Sequence, residues 1–286
     1  MKTKKALLTF TAAHVIAVSM VYSQTEGYQD SARPLGLDIA GPVMLAGSDE
    51  ASANFQTNEL PTLMQFVDTN LSESQALENV SAVSLDPAEL ILYHDSNVRT
   101  YFLSEGAGYR NTLGYTTTGV IDEGALIYPD ASSAYTPPYQ DTSSTENLPR
   151  DNNTPLGPGD FVDLGMHEQG TQLDFFLIAD GANGGNNIYG ADGLEGANPD
   201  GLQHMVAFAV PDSPYLLLGF EDLYGGGDLD YNDIVFVIDI GEVNVQNLVA
   251  APEPAFWMMM ALVGATGVWF YHRSNTSDPN DHICSS

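Results

Sequence analysis

The segment from Gly225 to Asp233 is the part of the chain whose residue types point most clearly to chemistry. Three glycines are followed by Asp228, Asp230 and Asn232 at alternate positions, so a tight loop can bring three side-chain oxygens to one point. Glycine adopts positive φ at no steric cost, which lets backbone carbonyls turn toward the same point. Ca²⁺ takes about six to eight oxygen ligands at roughly 2.3–2.6 Å. The pattern therefore predicts a calcium site.

The predicted ligands come from both sides of the glycines. Those that follow the glycines are Asp228, Asp230, Asn232 and Asp233. Glu221 or Asp222, at the end of the preceding apolar run, is expected to assist by folding back over the loop. Asp180 ends another apolar run and is a further candidate, although an ordinary Asp-Gly turn explains it equally well.

An EF-hand does not fit this segment. In an EF-hand loop the sixth position is glycine and the twelfth is a bidentate glutamate. Counted from Asp228, these positions are Asp233 and Asp239. The residues from Ile234 to Ile240 are apolar except for Asp239 and largely β-branched, which predicts a strand where an EF-hand has its exiting helix. The alternative to a metal site is a solvated acidic turn between two strands.

The charge balance narrows the classes of partner. Between residues 24 and 251 there are 35 acidic side chains, four arginines and no lysine, which gives a net charge of −31. Binding to a phosphate backbone requires Lys and Arg, so nucleic acid is excluded as a partner. A strongly acidic protein is soluble and attracts cations. The only cysteine, Cys284, cannot form an intrachain disulfide, so a divalent ion is the expected cross-link.

The first 23 residues have the pattern of a secretory signal peptide. Lysines at the start precede an apolar stretch over Ala6–Val21, and small residues end the segment. Cleavage after Ser23 is expected. An uncleaved membrane anchor is the alternative, but polar residues interrupt the apolar stretch.

The other end of the chain has a second targeting pattern. Pro252-Glu253-Pro254 precedes the uncharged stretch Ala255–Tyr271, which is long enough for a short spanning helix, and then Arg273. This order, over residues 252–273, resembles the PEP-CTERM sorting signal of Gram-negative bacteria. The resemblance implies processing by an exosortase in a host that makes exopolysaccharide. That family usually ends in a cluster of arginines, whereas here a polar tail, 274–286, follows one arginine.

Between these termini the chain divides into two regions. Residues 24–88 show little periodicity, with a short strand expected over Met64–Val67 and a short helix over Ser74–Val80. Residues 89–243 consist of short apolar runs separated by turn residues. The predicted strands are Leu90–Tyr93, Thr100–Leu103, Ala125–Tyr128, Leu173–Ala179, His204–Val210, Tyr215–Phe220 and Ile234–Ile240. This pattern predicts an all-β fold, an antiparallel β-sandwich of jelly-roll-like type.

Two of the predicted strands lack the alternation of a half-buried strand. Phe175–Ile178 and Leu216–Leu218 are continuous apolar runs. Such runs are typical of central strands that are buried on both faces.

Three segments of the body resemble a known family. Arg99–Gly114 is similar to the first half of the uncharacterised domain of unknown function 4114. Leu173–Gly181 and Gly219–Phe236 are similar to its second half, and the last match is the most specific. The family occurs in bacterial surface and secreted proteins, often beside the same sorting signal. The resemblance implies location and fold but no activity.

No arrangement of residues indicates catalysis. The chain lacks a Gly-x-Ser-x-Gly elbow, and His94, His167 and His204 do not have the spacing of a zinc motif. A hydrolase with two facing carboxylates is the least favoured reading. We expect a non-catalytic structural or adhesive protein of the cell surface or extracellular matrix, with calcium-dependent glycan binding as the alternative. An open coordination position on the ion favours the glycan alternative, and complete protein ligation favours a structural ion.

The sorting signal can be tested by mutation. We expect replacement of Pro252, Glu253 and Pro254 by alanine to leave the protein exported but held at the membrane, because the apolar stretch inserts without the motif. The measurement is the mass and location of the mature protein, with Pro279→Ala as the control. Arrival of the triple variant at the surface with the wild-type mass and C-terminus would contradict the assignment.

Overall fold

The computed structural model describes residues 29–72, 75–77, 83–132, 135–136, 139–140, 155–210 and 212–251. The predicted signal peptide, sorting segment and polar tail, and most of the helix predicted over 74–80, lie outside these residues. Within the described part of the chain, no helix has both the length and the hydropathy to cross a bilayer.

The described chain is built mainly of antiparallel β-structure. Its strands are β1 (Val83–Leu85), β2 (Ser96–Ser104), β3 (Thr112–Thr116), β4 (Ala125–Tyr128), β5 (Tyr135–Thr136), β6 (Tyr139–Gln140), β7 (Phe161–His167), β8 (Asp174–Ala179), β9 (Asn187–Gly190), β10 (Met205–Ala209), β11 (Tyr215–Phe220) and β12 (Ile234–Asp239). Its α-helices are α1 (Glu50–Asn58), α2 (Leu60–Asn70) and α3 (Glu242–Ala250). The predicted all-β class is confirmed.

The strands form two main sheets. One sheet has six strands in the order β1-β10-β11-β12-β2-β7, and the other has four in the order β4-β3-β8-β9. β5 and β6 form a separate pair. All pairings within the sheets are antiparallel.

The two main sheets share one apolar core. Phe175 of β8 contacts Phe236 of β12 across the layers, with ring centroids 5.4 Å apart. Alternation along β11 divides its side chains: Leu216 and Leu218 point into this core, and Leu217 points to the opposite face. All residues of β8 and β11 are buried, which confirms the expectation of strands covered on both faces.

Helices cover the outer face of the six-stranded sheet. Phe55 of α1 is fully buried and stacks on Tyr101 of β2, with ring centroids 3.9 Å apart. In α2, Leu63 and Val67 are four residues apart and therefore lie on the same face of the helix, where both are buried. The strand predicted over Met64–Val67 is wrong, because this spacing fits a helical turn and the apolar face of the sheet receives it.

An arginine also ties α1 to the sheet. Arg99 of β2 pairs with Asp163 of β7 at 2.6 Å and with Asp49, the N-cap residue of α1, at 2.9 Å. Its guanidinium lies 4.1 Å from the ring centroid of Phe161. Planar guanidinium groups suit such paired carboxylates and aromatic faces. This contact fixes the start of α1 on the sheet.

Strand predictions failed where tertiary contacts decide the outcome. Leu90–Tyr93 forms only an isolated bridge, from Ile91 to Gln172. Six strands were not predicted: β1, β3, β7, β9 and the two-residue strands β5 and β6. β3 and β7 contain glycine and polar residues, and β1 and β9 are very short, so local pattern gives little signal for them.

Truncation of Phe55 tests whether the helices are part of the folded unit. We expect Phe55→Ala to lower the free energy of unfolding by about 3–5 kcal/mol, because it leaves a cavity against Tyr101. Gln65→Ala, at an exposed position of α2, should change the stability by less than about 0.5 kcal/mol. Denaturant unfolding gives both values. Equal stabilities for the two variants would mean that the helices do not contribute to the sandwich.

Candidate metal centre

The acidic segment connects two neighbouring strands in the middle of the six-stranded sheet. Phe220 of β11 pairs with Ile234 of β12, and the amide of Asp233 donates to the carbonyl of Phe220 at 3.1 Å. Residues 221–233, here named the acidic loop, therefore start and end at adjacent points of one hairpin. Because both strands are buried, the base of the loop is fixed by the core.

Turns at the glycines compact the loop. Gly225, Gly226 and Gly227 all have positive φ, at 92°, 85° and 53°. A Cβ atom on Gly227 would overlap Oε2 of Glu221. A side chain at this position would displace the Glu221 carboxylate and would strain the backbone at positive φ, so glycine is favoured here.

Glu221 is the centre of the acidic loop. Its side chain is buried, and Oε1 accepts hydrogen bonds from the amides of Asp230 at 2.7 Å and Tyr231 at 3.1 Å. One carboxylate thus joins the start of the loop to its end. Leu229 and Tyr231 have positive φ, at 65° and 56°, a conformation that costs about 1–3 kcal/mol for each non-glycine residue. Strained backbone of this kind persists where surrounding contacts fix it.

Three carboxylates meet in the acidic loop. One oxygen each from Glu221, Asp228 and Asp230 lies within 4.8 Å of the others, a separation at which all three can reach a single ion. Glu221 and Asp230 are buried, and Asp228 is exposed. We refer to these three residues as the carboxylate cluster. The other predicted ligands are nearby but make different contacts.

The side chains of Asp222, Asn232 and Asp233 line a surface cleft together with the carboxylate cluster. They form hydrogen bonds with other groups. Asp222 accepts from Nδ2 of Asn111 at 2.7 Å, and the Asp222 amide donates to Asp233 at 2.7 Å. Nδ2 of Asn232 donates to Oδ2 of Asp230 at 2.8 Å. These three residues therefore shape and support the cluster.

Asp180 does not join the carboxylate cluster. Its carboxylate accepts from the amide of Arg110 at 3.2 Å and from Nδ2 of Asn183 at 2.8 Å. It adopts positive φ, at 52°, before Gly181. Its contacts are those of a turn, in line with the alternative considered for it.

The surroundings of the loop disfavour negative charge. Burial raises the pKa of Glu221 to about 7, and the nearby charges of Asp230 and Asp228 add to the effect, whereas hydrogen bonds from the Tyr231 and Asp230 amides oppose it. Burial and the charge of Asp222 raise the pKa of Asp233, and burial raises the pKa of Asp222. A divalent cation would reverse this imbalance, since positive charge favours ionised carboxylates.

A buried pair that sequence reasoning missed supports the loop from below. Nε2 of His204 lies 2.9 Å from the carboxylate of Asp200, and Nδ1 lies 3.2 Å from the carbonyl of Glu221. Both ring nitrogens therefore face oxygens of neighbouring groups. Asp200 also accepts from the amide of Gly225 at 2.6 Å. The sequence signal available was only the acid at Asp200 four residues before a histidine.

An open cleft of about 560 Å³ lies over the carboxylate cluster. Tyr109 and Leu223 form part of its wall, and both are more than two-fifths exposed. Within the loop, the side chain of Tyr231 is only 8% exposed and packs into the apolar cluster between the sheet and α2, whereas that of Tyr224 is 67% exposed. The cluster is therefore accessible from one side.

Comparison with known protein families finds one family model that matches the part of the chain containing this hairpin. A family model described as Domain of unknown function (DUF4114) matches residues 168–241. The match spans β8 to β12 and includes the acidic loop. It confirms the resemblance over Leu173–Gly181 and Gly219–Phe236, whereas Arg99–Gly114 lies outside the matched range. Comparison with curated proteins and with solved structures finds no match.

The raised pKa of Glu221 predicts how stability without metal depends on pH. The unfolded chain has the ordinary value of 4.5 and the folded protein about 7, so between these pH values the folded state binds more protons. Proton binding by Glu221 therefore stabilises the folded state fully below about pH 4.5, and this stabilisation is lost as the pH rises through 7.

We expect Glu221→Gln to remove this dependence. In chelator at pH 8 the variant should be more stable than wild type by about 1–3 kcal/mol, and at pH 4 the two should be equal. Glu195→Gln, at an exposed carboxylate, serves as the control. The measurement is thermal unfolding across the pH range. If Glu221→Gln is less stable than wild type in chelator at pH 8, the charge on Glu221 does not destabilise the folded protein.

Proposed function

We propose that the acidic loop binds Ca²⁺ and that the ion stabilises the β-sandwich. The observation that carries the proposal is the meeting of Glu221, Asp228 and Asp230 within 4.8 Å, two of them buried. Like charges this close repel one another strongly in a partly buried site. A divalent cation between them converts the repulsion into attraction.

The donor set favours calcium over other ions. All three cluster ligands are carboxylates, which suit hard cations, whereas Zn²⁺ prefers cysteine and histidine. The remaining coordination positions would be filled by backbone carbonyls, by other oxygens that line the cleft and by water. Mg²⁺ demands octahedral geometry at shorter distances and releases its waters reluctantly. A long glycine loop with one open side suits the larger, more adaptable ion.

The proposed setting is the cell surface or the extracellular matrix. The signal-peptide pattern of residues 1–23, the PEP-CTERM-like pattern of 252–273 and the net charge of −31 over residues 24–251 support export. The protein would be tethered to the membrane before an exosortase-type enzyme processes it. Its role would be structural or adhesive and non-catalytic.

Calcium-dependent glycan binding is the second candidate. The open cleft beside the cluster and the exposed ring of Tyr109 favour it, since sugars present hydroxyls to an ion and a flat face to an aromatic ring. A glycan array probed in calcium and in chelator separates the two candidates. Calcium-dependent retention on a glycan supports the second, and retention on none supports a structural ion.

Calcium should raise the stability of the protein. Extracellular modules bind with dissociation constants of about 10⁻⁴–10⁻³ M, so saturating calcium should add about 1–3 kcal/mol to the free energy of unfolding. Calorimetry should detect binding, and the melting temperature should rise by several degrees. Mg²⁺ at the same concentration should produce little change.

The matched variants are Asp228→Asn and Asp122→Asn, both at exposed positions. The first removes a cluster carboxylate and should greatly weaken binding, because calcium loses a charged ligand. The second lies outside the loop and should bind as wild type does. Identical wild-type melting curves in chelator and in millimolar calcium, with no heat of binding, would leave the loop as an ordinary acidic turn.

A further inference from the structure

The acidic loop contacts the helical layer as well as the sheet. Nδ2 of Asn232 donates to the carbonyl of Leu71, just after α2, at 3.2 Å. The amide of Leu77 donates to the carbonyl of Leu229 at 2.8 Å. Two hydrogen bonds therefore join the loop to the chain that leaves α2.

One side chain links these contacts to the carboxylate cluster. Nδ2 of Asn232 faces two acceptors, Oδ2 of Asp230 and the carbonyl of Leu71, and this fixes the orientation of the amide. Tyr231 packs in the same apolar cluster as Val67 and Leu71. The backbone that presents these groups includes two residues of positive φ, Leu229 and Tyr231.

We propose that the acidic loop is a calcium-dependent clamp that holds Leu71, at the end of α2, and Leu77 against the sheet. This inference rests on the proposed calcium site. Without the ion, repulsion within the carboxylate cluster disfavours the closed loop, and the strained residues relax. The bonds to Leu71 and Leu77 are then lost together, because both start from the same short stretch of loop.

The opening is confined to one end of the helical layer. The start of α1 is held by the pairs of Arg99 with Asp49 and Asp163, and its middle by the stack of Phe55 on Tyr101. None of these contacts involves the acidic loop. Calcium thus controls the end of α2 while α1 stays in place. By linkage, docking of α2 tightens calcium binding by the same factor by which calcium favours the docking of α2.

Hydrogen exchange of the full-length protein tests the clamp. Chelation should speed the exchange of amides in residues 63–77 by about tenfold or more and leave residues 50–58 unchanged. Calorimetry on the same sample reports calcium binding independently. Calcium binding without a change over 63–77 would overturn the clamp and leave the calcium site intact. If chelation changes no exchange rate over 63–77 and calorimetry detects no calcium binding, both the clamp and the calcium site would be wrong.

Two variants isolate the link. Asn232→Asp removes the donor to Leu71 and to Oδ2 of Asp230, so residues 63–77 should exchange quickly even in calcium, and by linkage calcium should bind more weakly. Leu77→Pro removes the other donor without touching the loop, and Leu77→Ala, which keeps the amide, is its control. Of the two Leu77 variants, only Leu77→Pro should weaken calcium binding and speed exchange. Wild-type exchange in both Asn232→Asp and Leu77→Pro would contradict the clamp.

Discussion

The hydrogen bonds from the amides of Asp230 and Tyr231 to the buried carboxylate of Glu221 organise the candidate site. They close a loop of residues 221–233 on itself and bring Asp228 and Asp230 to Glu221. In this closed loop, burial and the nearby charges of Asp230 and Asp228 raise the pKa of Glu221. The geometry that forms the site therefore also concentrates the acidic groups on which the proposed cation site rests.

The two packed antiparallel sheets supply the rigidity that this arrangement requires. β11 is buried along its length and β12 from Ile234 to Ile238, and the pair of Phe220 with Ile234 closes the loop at its base. Below it, His204 and Asp200 hold the amide of Gly225 and the carbonyl of Glu221. A loop of this length would be mobile on an edge strand, whereas here the apolar core sets the positions of both its ends.

The sequence was informative where the signal is local. The glycine-acid spacing located the loop, and the apolar runs gave the bounds of β11 and nearly those of β12, because burial on both faces leaves a continuous pattern. Contacts between distant residues were not predictable, such as Asn111 with Asp222 or Asn232 with Leu71. The same limit explains α2, whose short amphipathic pattern resembles a strand until the sheet it covers is known.

The central claim is that one cation binds between Glu221, Asp228 and Asp230. The most direct measurement is a crystal structure of the protein grown with calcium, with anomalous scattering used to locate the ion. The account predicts one ion about 2.3–2.6 Å from an oxygen of each of these three residues, in a site with about six to eight oxygens. A structure at saturating calcium in which the three carboxylates hold no ion, or in which the ion binds elsewhere, would contradict it.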